Sequence, residues 1–210
     1  MLRLYRGSRL YGESYLYEYI LGDNIMRVTG GIYRGRTVKC PPGEIRPSMD
    51  SRRESLFSIL GNLEGDSFLD LFAGSGMVGI EAASRGAEPI LLIEKDRGKK
   101  RVILENLTIV QTDISLWIMD VRRYIDTAKT KWDIIYADPP FPFTGRKEIL
   151  LQIANKNILA QNGIIILHHP SSDKWDNAVG NFECFDVRKY GGSVLSFFRH
   201  SLVRNPEDSL

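Results

Sequence analysis

The chain has 210 residues, of which 43% are hydrophobic and 26% are charged, and its formal net charge is only +2. This length and composition are typical of one globular domain with a sizeable core. No apolar run approaches the roughly 20 residues of a membrane span, and Cys40 and Cys184 form no C-x-x-C pair. We therefore exclude a membrane protein and a disulfide scaffold, expect no metal site, and predict a soluble, cytoplasmic protein.

The charge is unevenly distributed along the chain. Residues 27–53 hold seven basic side chains against two acidic ones, a net of +5, whereas residues 1–25 balance three against three. Such a segment indicates either a surface for a polyanion or a solvated loop, and charge alone leaves both open. We expect residues 1–25 to form a poorly ordered extension, 26–63 a basic hairpin and helix, 64–200 the main domain and 201–210 a tail.

Two kinds of pattern follow each other along the chain. Residues 27–39 predict two short strands around a glycine-rich turn, and residues 48–63 predict a helix capped by Ser48 or Asp50. After these, strands at 68–72, 89–94, 116–119, 132–137 and 163–168 alternate with helices at 76–85, 97–107, 121–128 and 147–155, before a closing hairpin at 182–187 and 194–199. Near-continuously apolar strands separated by helices indicate a Rossmann-like α/β fold, with a mostly parallel seven-stranded sheet covered on both faces.

The loop after the strand at 68–72 reads G-x-G-x-x-G, from Gly74 to Gly79. Glycines allow a tight turn and a close approach of the backbone to a ligand, and the following helix offers amides to an anion. The pattern therefore fits both NAD and S-adenosylmethionine (SAM). Asp70 separates the two, because a carboxylate at the mouth of the site would repel a pyrophosphate and could accept a hydrogen bond from the SAM ammonium. The charge favours SAM.

Carboxylates also follow the next two strands. Glu94 ends the second strand of the alternation, where an acidic side chain accepts hydrogen bonds from the ribose hydroxyls of either cofactor. Asp120 follows the third strand and could accept from an adenine amine or cap the helix behind it. These two roles of Asp120 are compatible.

The fourth strand ends in Asp138-Pro139-Pro140-Phe141. The two prolines remove two backbone donors, so a carboxylate and carbonyls line this loop as acceptors. Such a loop suits the exocyclic amine of a nucleobase. Asp138 and the Pro139 carbonyl would hold both amine hydrogens and stabilise positive charge that develops during methylation. Phe141 would stack on the target base, which must be held unstacked from its neighbours.

The chain resembles the RsmD family of 16S ribosomal RNA guanine-N2 methyltransferases, which are class I SAM-dependent enzymes. The resemblance extends from about Met26 to Arg199 and rests on RVTGGIYRGRTV, IRPSMDSRRESLFSIL, DLFAGSGMVGIEAASRGA, LIEKD and YADPPF. It implies the class I methyltransferase fold, SAM as cofactor, and 16S ribosomal RNA as partner within a partly or fully assembled small subunit. We expect the enzyme to be a monomer.

The resemblance also implies roles for individual residues. SAM would be bound by Asp70, Phe72, Gly74, Gly76, Glu94, Asp120 and Val121. The guanine would be held by Asp138, Pro139, Pro140 and Phe141, and the RNA by Arg34, Arg36, Arg46, Arg52 and Arg53. One departure lies at the fifth strand, which often ends in Glu in this family and here ends in His168 and His169. Because these two histidines are too close together to form a metal site, we expect a strand-end role for them.

Three other functions stay open at this stage. A DNA or protein-glutamine amino-methyltransferase would use the same D-P-P-F loop, although DNA enzymes usually carry an additional recognition segment. A non-catalytic RNA-binding module is disfavoured because the acidic residues and Phe141 are all present. An NAD oxidoreductase would leave the D-P-P-F loop without a purpose.

Overall fold

A computed structural model of the protein describes residues 25–41, 48–173 and 178–201. The predicted extension before Met26, except Ile25, and the predicted tail, except Ser201, lie outside the described residues. So does Arg46, one of the five arginines expected to contact RNA.

The amino-terminal part forms the predicted hairpin and helix. Strands β1 (Ile25–Arg27) and β2 (Thr37–Lys39) pair antiparallel, and helix α1 spans Ser48–Leu60. The turn of the hairpin is packed tightly on the rest of the protein, since Ile32 N donates to the Ser84 carbonyl oxygen at 2.7 Å. Gly31 adopts φ +73° there, and a Cβ on it would lie 1.7 Å from the same oxygen. Only glycine fits this contact.

Strands and helices then alternate, as the hydrophobic pattern predicts. They are β3 (Phe68–Asp70), α2 (Met77–Ser84), β4 (Ile90–Glu94), α3 (Lys100–Leu107), β5 (Ile114–Ile118), α4 (Val121–Thr127), β6 (Trp132–Ala137), α5 (Arg146–Lys156) and β7 (Leu159–Pro170), followed by β8 (Ala178–Val179), β9 (Phe182–Tyr190) and β10 (Ser193–His200). Among the described residues, no helix has both the length and the apolar character needed to cross a membrane.

The main sheet has the order β5-β4-β3-β6-β7-β10-β9-β8. Strands β3 to β7 pair parallel, and β10, β9 and β8 are antiparallel to their neighbours. The seven predicted strands are all present, and the two-residue β8 adds an eighth at the edge. The strand order reverses between β3 and β6, and in open α/β sheets ligands bind beyond the carboxyl ends of the strands at this point.

Two apolar layers cover the sheet, one on each face. The first joins α1, α2 and the hairpin to the sheet and includes Val28, Phe57, Phe68 and Ile80. The second packs α4 and α5 on the opposite face through residues such as Tyr124 and Ile153. The hairpin therefore shares a core with the sheet, and the whole arrangement fixes the loops at the carboxyl edge.

Strand β7 is longer than the predicted 163–168, because it pairs with β6 on one side and with β10 on the other. Leu167 lies opposite Ala137 of β6, and His168 lies opposite Leu195 of β10. This register places His168 beside the residue that follows Ala137, which is Asp138.

Candidate active site

A cavity of about 480 Å³ opens at the carboxyl ends of β3, β4, β5 and β6, at the reversal of strand order. Of the predicted cofactor residues, it is lined by Phe72, Gly74, Glu94, Asp120 and Val121. Of the predicted guanine-binding residues, it is lined by all four, from Asp138 to Phe141. The acidic strand ends and the D-P-P-F loop thus share one continuous space, which also reaches Met26 and Cys40 of the hairpin region.

The glycine loop forms one wall of this cavity. Gly74 and Gly76 both have positive φ, 58° and 82°, which explains the glycine at each position. Gly74 lines the cavity and donates its N–H to Glu94 Oε2 at 2.9 Å. Gly76 instead begins α2 and faces Ile103, so it is not part of the cavity wall.

Asn106 of α3 holds the glycine loop on the side away from the cavity. The sequence patterns did not predict this role. Its side-chain amide nitrogen donates to the Ser75 carbonyl at 2.8 Å and to the Lys39 carbonyl at 2.9 Å. Its Oδ1 accepts from Lys39 N at 2.9 Å. One buried amide therefore joins the cofactor loop to strand β2 of the hairpin, and nothing in the sequence around position 106 announces that role.

Asp70 does not lie where the sequence analysis placed it. It is 1% exposed and does not line the cavity, because it is still inside β3 between β4 and β6. Its Oδ1 accepts from Phe72 N at 3.1 Å, and its buried Oδ2 has no hydrogen-bond partner among the described residues. Burial raises the pKa of this carboxyl to about 8, and the nearby Asp138 and Glu94 add to the rise. Asp70 therefore lies below the cavity floor with its protonated form favoured, and its expected direct contact with the SAM ammonium stays a prediction.

Glu94 and Asp120 lie on the side of the cavity away from the D-P-P-F loop. Glu94 Oε1 accepts from Asp96 N at 2.8 Å, while its other oxygen holds Gly74. Asp120 caps α4 by accepting from Arg122 N at 2.9 Å, as one of its two expected roles requires, and pairs with Lys95 at 3.1 Å. Although partial burial opposes it, the Lys95 and backbone hydrogen bonds keep the pKa of Asp120 below its usual range.

The D-P-P-F loop is held from behind by Arg146, a residue that the sequence analysis missed. Arg146 is 5% exposed, and its guanidinium donates to the carbonyls of Pro140 at 3.1 Å and Phe141 at 2.9 Å, as well as to Phe143. Asp173 pairs with it at 3.3 Å. The Pro139 carbonyl is not among the acceptors that Arg146 uses. The Phe141 side chain is 40% exposed at the cavity, and its ring centroid lies 5.8 Å from that of His168.

Asp138 is connected to a buried chain of polar side chains. His168 Nδ1 lies 2.5 Å from Asp138 Oδ1, and His168 Nε2 lies 2.9 Å from Arg52 Nη1. Tyr136 donates to Asp138 Oδ2 at 3.4 Å. Burial, together with the Asp138 charge, raises the pKa of the Tyr136 hydroxyl well above its usual range, so the hydroxyl keeps the proton that it donates. His169 faces away from this chain and contacts Ser196 at 2.8 Å.

Two of the arginines expected to bind RNA, Arg52 and Arg53, are largely buried and line the cavity. Arg52 is 7% exposed and bonded to His168 and to Ser193, and Arg53 is 5% exposed. The Arg53 guanidinium pairs with Glu81 at 3.5 Å and donates to the Arg27 carbonyl at 2.8 Å. Glu81, which is fully buried, also accepts from Thr29 and Gly30 of the hairpin. Both arginines lie on the buried face of α1. A count of charges along the chain does not distinguish buried arginines from exposed ones.

The other two described arginines remain on the surface. Arg34 and Arg36 are exposed in the turn of the hairpin. Arg36 lies over the Tyr33 ring, 4.9 Å from its centroid, and donates to the Ile109 carbonyl. Arg34 extends from the same turn, and the exposed Arg27 of β1 reaches the turn by donating to the Gly35 carbonyl at 3.4 Å.

Comparisons with known proteins agree with this architecture. The model of the family described as Conserved hypothetical protein 95 matches residues 26–199. Ribosomal RNA small subunit methyltransferase D of Escherichia coli (strain K12) is 35% identical over 146 residues, which cover 68% of this chain and 70% of that protein. The Bacillus subtilis (strain 168) protein YlbH is 30% identical over 181 residues, covering 83% and 98%. The solved structure of the Escherichia coli protein yhhF superposes with a TM-score of 0.77 at 27% identity, covering 84% and 98%.

Proposed function

The chain belongs to the Conserved hypothetical protein 95 family, and from that premise we propose that it methylates the exocyclic N2 amine of a guanine in 16S ribosomal RNA. It is a SAM-dependent methyltransferase that acts on ribosomal RNA. The specific base, the 16S molecule and its context in the small subunit are our proposal. The observation that carries it is the D-P-P-F loop, whose acceptors share one cavity with the glycine loop and its neighbouring carboxylates.

The cavity residues suit SAM in size and chemistry. Gly74 leaves room for a ligand beside the backbone, Glu94 and Asp120 offer carboxylates at the strand ends, and Phe72 and Val121 add apolar walls. These five residues would hold the cofactor, and Asp70 would support them from below. Bound there, SAM supplies a methyl group that its sulfonium makes electrophilic.

The protein's contribution to the reaction is placement and charge stabilisation. The lone pair of the guanine N2 amine is conjugated with the ring, so the amine is a weak nucleophile. Asp138 and the Pro139 carbonyl would accept its two hydrogens and direct the lone pair into the cavity. When the nitrogen took the methyl group and the carbon–sulfur bond of the sulfonium broke, the same oxygens would stabilise the positive charge on nitrogen, and Asp138 would accept the proton that the nitrogen then loses. Phe141 would stack on the guanine and hold it in this orientation.

Transfer of labelled methyl from SAM to small ribosomal subunits tests the proposal. Subunits that lack this modification and the naked 16S RNA would be compared, and the RNA digested to nucleosides for mass analysis. We expect label in N2-methylguanosine. Label in another nucleoside would refute the guanine-N2 assignment. Absence of label in both RNAs, with SAM binding intact, would refute 16S RNA as substrate and favour the DNA or glutamine alternatives.

We expect the two exposed arginines of the hairpin turn to bind RNA phosphates. Replacing both Arg34 and Arg36 by Gln would remove up to two ion pairs with phosphate, so the slope of log K against log salt would become shallower by about 1 for each phosphate that is no longer neutralised. Affinity for the small subunit would decrease at low salt, and SAM affinity would stay constant. The measurement is a salt titration of RNA binding.

In the matched control, two exposed arginines on strands β9 and β10 of the main sheet are replaced. Arg188 of β9 and Arg199 of β10 are exposed and pair with Asp186 and Glu183. Their replacement by Gln removes the same formal charge but should leave the salt slope unchanged. An equal effect of both pairs would show that net charge, and not the hairpin turn, governs binding.

A further inference from the structure

Residues 95–101 carry a dense cluster of positive charge. These seven residues hold five basic side chains and one acidic one, a net of +4, whereas residues 54–210 together sum to −3. The rest of that part of the chain therefore carries −7, so the cluster is set in an otherwise acidic body. It lies between β4 and the first turn of α3, where Lys95 and Lys99 line the cavity.

Three members of the cluster are exposed to solvent, namely Arg97, Lys100 and Arg101. Within the part of the chain that the structure describes, their side chains form no hydrogen bond or ion pair. They lie three and four residues apart on consecutive helical turns, and like charges at this spacing repel each other. The grouping therefore destabilises the free protein, and a bound polyanion would relieve that repulsion.

The acidic side chains of this segment are engaged in other contacts. Asp96 accepts from Gly98 N at 2.8 Å and so caps the turn that precedes α3. Glu105 of α3 pairs with Lys39 of β2. The hydrogen bond from Lys39, with a smaller contribution from the charge of Arg101, keeps the pKa of Glu105 below its usual range. Neither carboxylate forms an ion pair with the three exposed basic side chains.

The cluster continues along α3 into the basic side of the hairpin. Arg36 donates to the carbonyl of Ile109, just beyond the carboxyl end of the helix, and Lys39 contacts Glu105 near that end. Residues 97–101 occupy the other end of the same helix, which has eight residues and is about 12 Å long. A nucleic-acid strand crosses that distance in about three to four nucleotides. We call the basic residues that border the helix the α3 strip: Arg36, Lys39, Arg97, Lys100 and Arg101.

We propose that the α3 strip binds phosphates of the substrate RNA, so that the strand runs from the hairpin turn along α3 to the rim of the cavity. The inference rests on the proposed function, in which the substrate is RNA, and adds a contact surface outside the hairpin. Charge complementarity selects a polyanion, and Lys95 and Lys99 connect the strip to the cavity that the target base must enter. Because phosphate contacts fix the position of a strand without reading its sequence, the strip places the RNA and does not choose the base.

A salt titration of RNA binding tests the strip. The triple variant Arg97→Gln, Lys100→Gln, Arg101→Gln removes three exposed charges and leaves the cavity wall intact. We expect the slope of log K against log salt to become shallower by about 0.7 to 0.9 for each phosphate that is no longer neutralised. Affinity for small subunits and for naked 16S RNA should decrease at least about tenfold near 0.1 M salt. SAM affinity, and kcat at saturating RNA, should not change.

The matched control removes three exposed lysines at the amino ends of the strands. Lys129 and Lys131 precede β6, and Lys156 ends the helix before β7. Their replacement by Gln removes the same formal charge and should leave the salt slope at its wild-type value. Equal slopes in the two triple variants would overturn the proposal. A loss of affinity for subunits without a loss for naked RNA would also overturn it, because the strip would then bind a ribosomal protein.

Photocrosslinking locates the contact independently of affinity. Leu104, 47% exposed in the middle of α3, is replaced by p-benzoylphenylalanine, and Phe185, 43% exposed on β9, is replaced in the same way as a control. We expect RNA to crosslink at position 104 and not at position 185. No RNA crosslink at position 104 would refute the strip even if N2-methylguanosine is formed. Crosslinks and a shallower slope without any N2-methylguanosine would refute the proposed reaction and leave the RNA surface in place.

Discussion

Replacing Asp138 by Ala will lower kcat for methyl transfer by about 100-fold or more, because a stabilising partner of the transition state is removed. One carboxylate oxygen of Asp138 lies 2.5 Å from His168 Nδ1 and the other accepts from Tyr136 at 3.4 Å, so the carboxylate is held in one orientation at the cavity. No other carboxylate of the D-P-P-F loop can replace it, since its remaining members are two prolines and a phenylalanine. SAM affinity should stay close to wild type, because the residues expected to hold SAM lie on the loops after β3, β4 and β5.

Single-turnover transfer to small subunits and calorimetric titration with SAM would measure the two effects separately. Asp126→Ala is a suitable control, since this aspartate lies at the far end of α4 with its side chain 56% exposed. Wild-type turnover in Asp138→Ala would show that the loop does not act as an acceptor for the amine. A parallel decrease in SAM affinity would place Asp138 in the cofactor site instead.

The second large effect concerns stability and pH. The pKa of Asp70 is raised from 3.8 to about 8 by burial in the folded protein, so the folded state keeps a proton that the unfolded chain has released. Stability contributed by this group is therefore fully present below pH about 4, falls as the pH rises toward 8, and is constant above it. At about 1.4 kcal/mol per pKa unit, the decrease is on the order of 6 kcal/mol.

Asp70→Asn isolates this effect, because the amide imitates the protonated carboxyl and keeps an oxygen for the Phe72 N–H. We expect the free energies of unfolding of the two proteins, measured in urea without cofactor, to be similar near pH 4. Above that pH the variant should become increasingly more stable than the wild type. A difference that does not change between pH 4 and pH 8 would show that Asp70 is ionised in the folded protein.

The sequence predicted the alternation, the sheet and the loops that meet at its carboxyl edge, because each depends on local patterns. Glu94 ends one apolar run and Asp138 directly follows another, so the apolar pattern alone places both at the ends of strands. The same reasoning failed where burial depends on partners distant in the chain. Arg52 and Arg53 resemble surface charges until His168 and Glu81 are brought to the buried face of α1.

Other members of the site give no signal in the sequence. Arg146 begins an ordinary amphipathic helix, and its importance comes from three loop carbonyls that the chain folds toward it. His168 is noticeable only as an unusual end to an apolar strand. Asp70 is noticeable in the sequence as an acid within an apolar strand, but in the structure it is buried and does not line the cavity. Spacing along a strand does not show how deeply its last residue is enclosed.

The tight seating of the hairpin on Ser84 and Glu81 limits how this protein can be re-engineered or can diverge. Its turn presents Arg34 and Arg36, yet it is fastened at Gly31 to the end of α2 and through Asn106 to the glycine loop. The surface that would meet the nucleic acid is therefore not a detachable adaptor. A graft that exchanges this hairpin between relatives, in order to redirect the enzyme to another site, must carry the matching residues of α2 and α3 with it.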